Sequence, residues 1–137
     1  MSERVSGYGL GDIARNIAPD IAPCVYAVYF RSELRYIGKT KVSLIGRICQ
    51  HIRDENSKVG RQIREHIGFC RVEGWFGTPN WDVLKPDGID DWYIAFMPTE
   101  LADLDAAEQY NIRRFDPPLN VQYRNNADIR RTKARAG

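Results

Sequence analysis

Residues 24–40, CVYAVYFRSELRYIGKT, restrict the fold more than any other part of the chain. Two runs rich in Val, Ile, Tyr and Phe, CVYAVYF and LRYIG, stand on either side of Arg31-Ser32-Glu33. β-Branched and aromatic runs joined by a short polar gap read as a β-hairpin. With an odd-length loop the even-numbered residues of both strands share a face, so Tyr26, Tyr36 and Gly38 are expected on one side. Tyr forms strands well and the chain contains seven of them, so the pair has a plain structural reading. It also sets two phenols side by side.

The following segments supply elements to cover that hairpin. Ser43 is positioned to cap a helix over residues 44–55, whose Ile45, Ile48, Cys49 and Ile52 form an apolar stripe. A second helical stretch covers 58–66, with Val59, Ile63 and Ile67 at helical spacing. DWYIAFM reads as a third strand ended by Pro98, and Thr99 is positioned to cap a helix over 100–115 that Asp116-Pro117-Pro118 stops. The order β, β, α, α, β, α predicts an α+β fold, in which a small three-stranded mixed sheet (the β-hairpin plus a later strand) is flanked by helices. A chain of 137 residues holds one such core. Residues 1–23, which include Gly7, Gly9, Gly11, Pro19 and Pro23, are expected to be a flexible lead with one short helix near 12–17. Residues 24–123 are expected to form the domain and 124–137 a basic tail.

The net charge of +2 announces no partner by its sum, but its distribution is uneven. Ten Lys or Arg face five acids between residues 30 and 73, whereas seven acids face one base between 85 and 108. Such blocks fold into opposite faces or into ordinary solvated surface. Cys24, Cys49 and Cys70 are odd in number and form no C-x-x-C pair, which argues against a disulfide framework and a zinc site. No apolar run is long enough for a membrane span or a signal peptide, so a cytoplasmic protein without membrane association is expected. Gly38-Lys39-Thr40 resembles the end of a P-loop, but the upstream glycine is absent, which speaks against a nucleotide cofactor.

Two helices carry residues that packing alone does not explain. In the last one, Leu101, Leu104, Ile112 and Phe115 fall on one stripe with Glu108 near its middle. An ionised Glu on an apolar face needs a cationic partner, a cleft or a bound cation, and a buried ion pair is the simplest of these. In the first, Arg47 and His51 are four residues apart and share a face away from the Ile stripe. Arg offers a fork of donors to a phosphate and His a group that handles protons near neutral pH, although such pairs are commonly just solvated.

These positions fall in an order that resembles the GIY-YIG nuclease superfamily across roughly residues 24–122. The first motif stands here as Cys24-Val25-Tyr26, with Cys for the usual Gly, and the second is intact as Tyr36-Ile37-Gly38, followed by Lys39-Thr40. Arg47, His51 and Glu108 match the Arg, the His and the metal-binding Glu of that pattern, and Pro117-Pro118-Leu119-Asn120 matches its closing motif. The resemblance implies a GIY-YIG-like fold and a DNA endonuclease that hydrolyses phosphodiester bonds with one Mg²⁺, for which Mn²⁺ can substitute, held by Glu108. It implies catalytic roles for Tyr26, Tyr36, Arg47, His51 and Glu108. Under this resemblance Tyr26 is the candidate for activating the attacking water, and Gly38, Lys39 and Asn120 are expected to be structural or to position the phosphate. The stretch near 74–88, which does not match the pattern, is read as an inserted segment. Lys58, Arg61 and Arg64 are candidate DNA contacts, and Trp75, Phe76 and Trp81 either stack on bases or pack in the core. A homodimer would suit symmetric sites. The competing expectation is a nucleic-acid-binding or assembly module of the same fold that does not cleave.

Overall fold

A computed structural model of the chain describes residues 6–54, 56–67 and 86–120. Cys70, Trp75, Phe76, Trp81, most of the segment 74–88 read as an insertion and the basic stretch 124–137 lie outside them. In chain order the elements are β1 (Gly7–Gly9), α1 (Leu10–Ala14), β2 (Cys24–Phe30), β3 (Glu33–Thr40), α2 (Leu44–Arg53), α3 (Lys58–Ile67), α4 (Pro86–Ile89), β4 (Trp92–Pro98) and α5 (Leu104–Phe115). The architecture is α+β, but the sheet has four strands, ordered β1-β4-β2-β3. Each neighbouring pair is antiparallel, so the expected mixed three-stranded sheet is corrected on both counts.

The additional strand comes from the segment read as a lead. Gly7-Tyr8-Gly9 has no β-branched residue and gives little strand signal, yet it pairs with β4 from Gly7↔Ala95 to Gly9↔Tyr93. Tyr8, Leu10 and Ile13 enter the core. Farther along the same segment, Asp20 accepts the Ser43 hydroxyl at 2.7 Å and the Ile45 N–H at 3.1 Å, which ties it to the start of α2.

The hairpin reaches its expected parity by a different route. Arg31 and Ser32 both have positive φ, giving a two-residue turn of the kind that matches strand twist. An even loop alone would put Tyr26 and Tyr36 on opposite faces. The register shifts between Val28 and Tyr29, however, so Tyr29 pairs with Leu34 and Val28 with Tyr36, leaving Arg35 as the extra residue of a β-bulge. Beyond it Tyr26 pairs with Gly38, and the even-numbered residues of both strands share a face.

That face packs against α1 to α4 through Tyr26, Val28, Leu44, Ile48, Ile63 and Ile94, among others. The opposite face holds α5 over a smaller cluster of Val25, Ile37, Leu104 and Ile112. β3 is the edge strand next to both layers, and this puts groups from either side of the sheet within reach of one end of it. Ser43 caps α2 by accepting the Gly46 N–H at 2.9 Å. Thr99 caps nothing: its hydroxyl donates to the Met97 carbonyl, residues 101–103 form a 3-10 turn, and α5 starts only at Leu104. The apolar stripe is correspondingly shorter than expected, with Leu104 and Ile112 buried while Leu101 and Phe115 are exposed. Among the described residues no helix is long and apolar enough to cross a membrane.

Candidate active site

Gly38 sets how the two phenols sit. Tyr26 lies across from it, and a Cβ on Gly38 would meet the Tyr26 hydroxyl at 2.5 Å and ring carbon Cζ at 2.6 Å. The missing side chain lets the Tyr26 ring cross the edge strand, with its centroid 6.3 Å from that of Tyr36. Cys24, where the resembled motif has Gly, is fully buried, and burial pushes its thiol up to about 11. It is a packing residue, two positions from Tyr26.

His51 differs from expectation. It shares the groove side of α2 with Arg47 but is not solvated: it turns inward, 7 % exposed, with its ring edge-on to both Tyr26 and Tyr36. Nε2 lies 2.7 Å from Tyr26 Oη, and Nδ1 lies 2.7 Å from Ser57 Oγ. Burial, reinforced by the Arg47 charge, pushes the imidazole down to about 4, so it is neutral at physiological pH. The close seating of α3 against this ring depends on Gly60, because a Cβ there would collide with the His51 carbonyl oxygen.

Arg47 faces the same phenols from α2. Burial raises the Tyr26 pKa far above the ordinary phenol range and Tyr36 adds to this, while Arg47 pulls it back as a charge and hydrogen-bond donor. Tyr36 is raised likewise by burial and lowered by Arg47. The guanidinium also donates to Gln50 Oε1 at 2.9 Å. Tyr36, Arg47, His51, Asp54, Ser57 and Lys58 line a groove of about 210 Å³. Tyr26 is 1 % exposed, so the phenol expected to meet the attacking water is closed off, whereas Tyr36 lines the groove.

Glu108 reaches this end of β3 from the other side of the sheet. Its side chain is 13 % exposed and its Oε1 lies 3.4 Å from Lys39 Nζ, which also pairs with Asp105 one turn earlier on α5. Burial raises the Glu108 carboxyl pKa in spite of Lys39, and its charge is felt at both Tyr26 and Tyr36. Among the described residues no three His, Cys, Asp or Glu side chains form a ready metal cage. A half-buried carboxylate with a second acid nearby suits an ion such as Mg²⁺, which keeps most of its waters and takes one or two protein carboxylates.

Asn120 has a definite place. Its Oδ1 accepts the Ile37 N–H and its Nδ2 donates to the Ile37 carbonyl, both at 2.8 Å, while the Leu119 N–H donates to the Arg35 carbonyl at 3.0 Å. Residues 119–120 thereby close the open edge of β3 between Tyr36 and Gly38, so Asn120 fixes the motif and does not face the groove as a ligand. Of the candidate DNA contacts, Lys58 and Arg61 are exposed on α3. Arg64 is used otherwise: its Nη1 donates to the carbonyls of Ile52 at 2.8 Å and Asp54 at 2.9 Å, closing the end of α2. Sequence reasoning missed Ser57 and Asp105. Ser57 carries a signal of its own, a Ser immediately before a helical stretch; Asp105 carries none until Lys39 is seen beside it.

No family model matches the chain, and neither a curated protein nor a solved structure does.

Proposed function

We propose that the protein is a Mg²⁺-dependent DNA endonuclease of GIY-YIG type, hydrolysing phosphodiester bonds at the end of β3. One observation carries the reading: Tyr26 from β2, Tyr36 from β3 and Arg47 and His51 from α2 meet at one corner of the sheet, and the charge of Glu108 from α5 is felt there. Packing alone gives no reason for four elements to bring two phenols, an imidazole, a guanidinium and a carboxylate together. A cytoplasmic location belongs to the same reading.

In this mechanism Glu108, with Asp105 beside it, is the residue that would hold Mg²⁺ or Mn²⁺. The bound ion would supply Lewis-acid stabilisation of the charge on the phosphate and on the leaving oxygen. Arg47 binds the phosphate with its donor fork and neutralises the growing negative charge. At rest that guanidinium acts on Tyr26 and Gln50; drawing it onto a phosphate frees the Tyr26 oxygen for a water. Tyr26 cannot be the final base, because burial holds its phenol protonated. As a water proton passes to Tyr26 Oη, the phenol proton passes to the neutral His51 Nε2, and the hydroxide attacks phosphorus as the bond to the leaving oxygen breaks. Tyr36, on the groove wall, orients the incoming group. Lys58 and Arg61 meet flanking phosphates.

A second reading is favoured by Lys39. Because it already pairs with Glu108 and Asp105, the carboxylates are neutralised without a metal, as in a nucleic-acid-binding module that does not cut. The test is cleavage of plasmid, branched and single-stranded DNA in Mg²⁺ by the parent and by Arg47→Ala. The proposal predicts cleavage by the parent and its loss in the variant, and intact DNA in every lane with retained binding would favour the second reading. Cutting both strands from a single site needs a homodimer or two sequential nicks, which the ratio of nicked to linear plasmid distinguishes.

A further inference from the structure

We infer that Ser57 is the positioning residue for His51, holding its proton on Nδ1 so that Nε2 is left as the acceptor facing Tyr26. The inference rests on the nuclease reading for its consequence, but its geometry stands independently. Ser57 precedes α3 and caps it: the Arg61 N–H donates to the Ser57 carbonyl at 2.9 Å, and the Gly60 N–H donates to Ser57 Oγ at 3.0 Å. The same Oγ lies 2.7 Å from His51 Nδ1.

Counting protons decides the tautomer. A neutral imidazole has one N–H and one lone pair. If Nδ1 were the acceptor, Nε2–H would donate to Tyr26 Oη. The phenol O–H would then have no acceptor among the described residues, in a side chain that is 1 % exposed. With the proton on Nδ1, Nδ1–H donates to Ser57 Oγ, whose two lone pairs accept it and the Gly60 N–H, Tyr26 O–H donates to Nε2, and the Ser57 O–H, on a partly exposed side chain, is left to the groove. An N-cap serine thus does two tasks with one oxygen, starting α3 and receiving the Nδ1 proton of the tautomer that lets His51 take the Tyr26 proton. The helix N-terminus at this point also disfavours an extra proton on the ring, which keeps Nε2 free at rest.

The test combines imidazole ¹⁵N NMR of the full chain with kinetics, using His66→Gln to leave one histidine signal. The parent is expected to show a protonated Nδ1 and an unprotonated Nε2. Ser57→Gly removes the oxygen but is tolerated at an N-cap, so it keeps α3 while Nδ1–H loses its acceptor and the hold on the Nδ1 tautomer weakens. Its kcat should fall roughly 10- to 100-fold with KM unchanged, as when the partner orienting a functional His is removed, and Ser57→Thr should restore it. An Nε2–H tautomer in the parent, or an unchanged tautomer and kcat in Ser57→Gly, overturns the inference. If the parent cuts no DNA, the nuclease reading fails while the NMR arm still decides the role of Ser57.

Discussion

Tyr26 Oη and His51 Nε2 lie 2.7 Å apart in the interior, joining the edge hairpin to the first long helix through two uncharged groups. The arrangement gives His51 a definite effect on stability. Its pKa falls from 6.5 to about 4 on folding, through burial first and Arg47 second, with Asp54 opposing. Protonation therefore favours the unfolded chain: the contribution of His51 is complete above about pH 6.5 and is lost as pH falls through about 4. Urea titrations of the parent and of His51→Gln should differ most at high pH and converge on acidification, by up to about 3 kcal/mol across that window. Parallel pH profiles would show that His51 is not the buried neutral group.

Gly38→Ala tests whether Tyr26 needs the open strand. The new methyl would stand 2.5 Å from the Tyr26 hydroxyl, in a sheet where neither backbone yields easily. A loss of about 1–3 kcal/mol by chemical denaturation is expected, with weaker coupling of Tyr26 to His51. Unchanged stability would mean that the ring does not lie across Gly38.

How far the sequence foretold this depended on whether a residue's setting is local. The hairpin, the Ser43 cap, the stop at Asp116 and the later strand follow from neighbours within a few positions. Gly7–Gly9 did not read as a strand, because its place is determined by pairing with β4 and not by its own propensity. Tyr26 and Tyr36 do share a face, but by a two-residue turn plus a bulge at Arg35, a compensation that no loop length reveals. At the site, Glu108 was legible as a carboxylate on an apolar stripe. The inward turn of His51 was not, since it depends on Ser57 and Gly60 in the next helix.

Asn120→Ala removes both bonds to the Ile37 peptide and leaves those buried backbone groups unpaired. The expected cost is about 2–3 kcal/mol, with faster hydrogen exchange at the Ile37 amide than elsewhere in β3. Uniformly unchanged exchange would contradict the edge-closing role.

Arg64 and Arg61 lie on one helix but should separate in experiment. Arg64→Ala should lower stability by about 1–2 kcal/mol, because two carbonyls at the end of α2 lose their donor. Arg61→Ala and Lys58→Ala should leave stability nearly unchanged and each weaken DNA binding, reducing the dependence of log K on log salt by about 1. The opposite pattern would place Arg64 on the DNA.

The central claim is that the Glu108 carboxylate is there to hold a metal and not merely to pair with Lys39. The most direct measurement is cleavage of supercoiled plasmid across a Mg²⁺ titration by the parent and by Glu108→Gln, with thermal unfolding of both followed in parallel. The account predicts Mg²⁺-dependent nicking by the parent, no detectable cutting by Glu108→Gln, and a Tm for the variant equal to or above that of the parent, since a half-buried charge has been removed. Equal cutting by Glu108→Gln, or a parent that leaves the plasmid intact at every Mg²⁺ concentration, would contradict it.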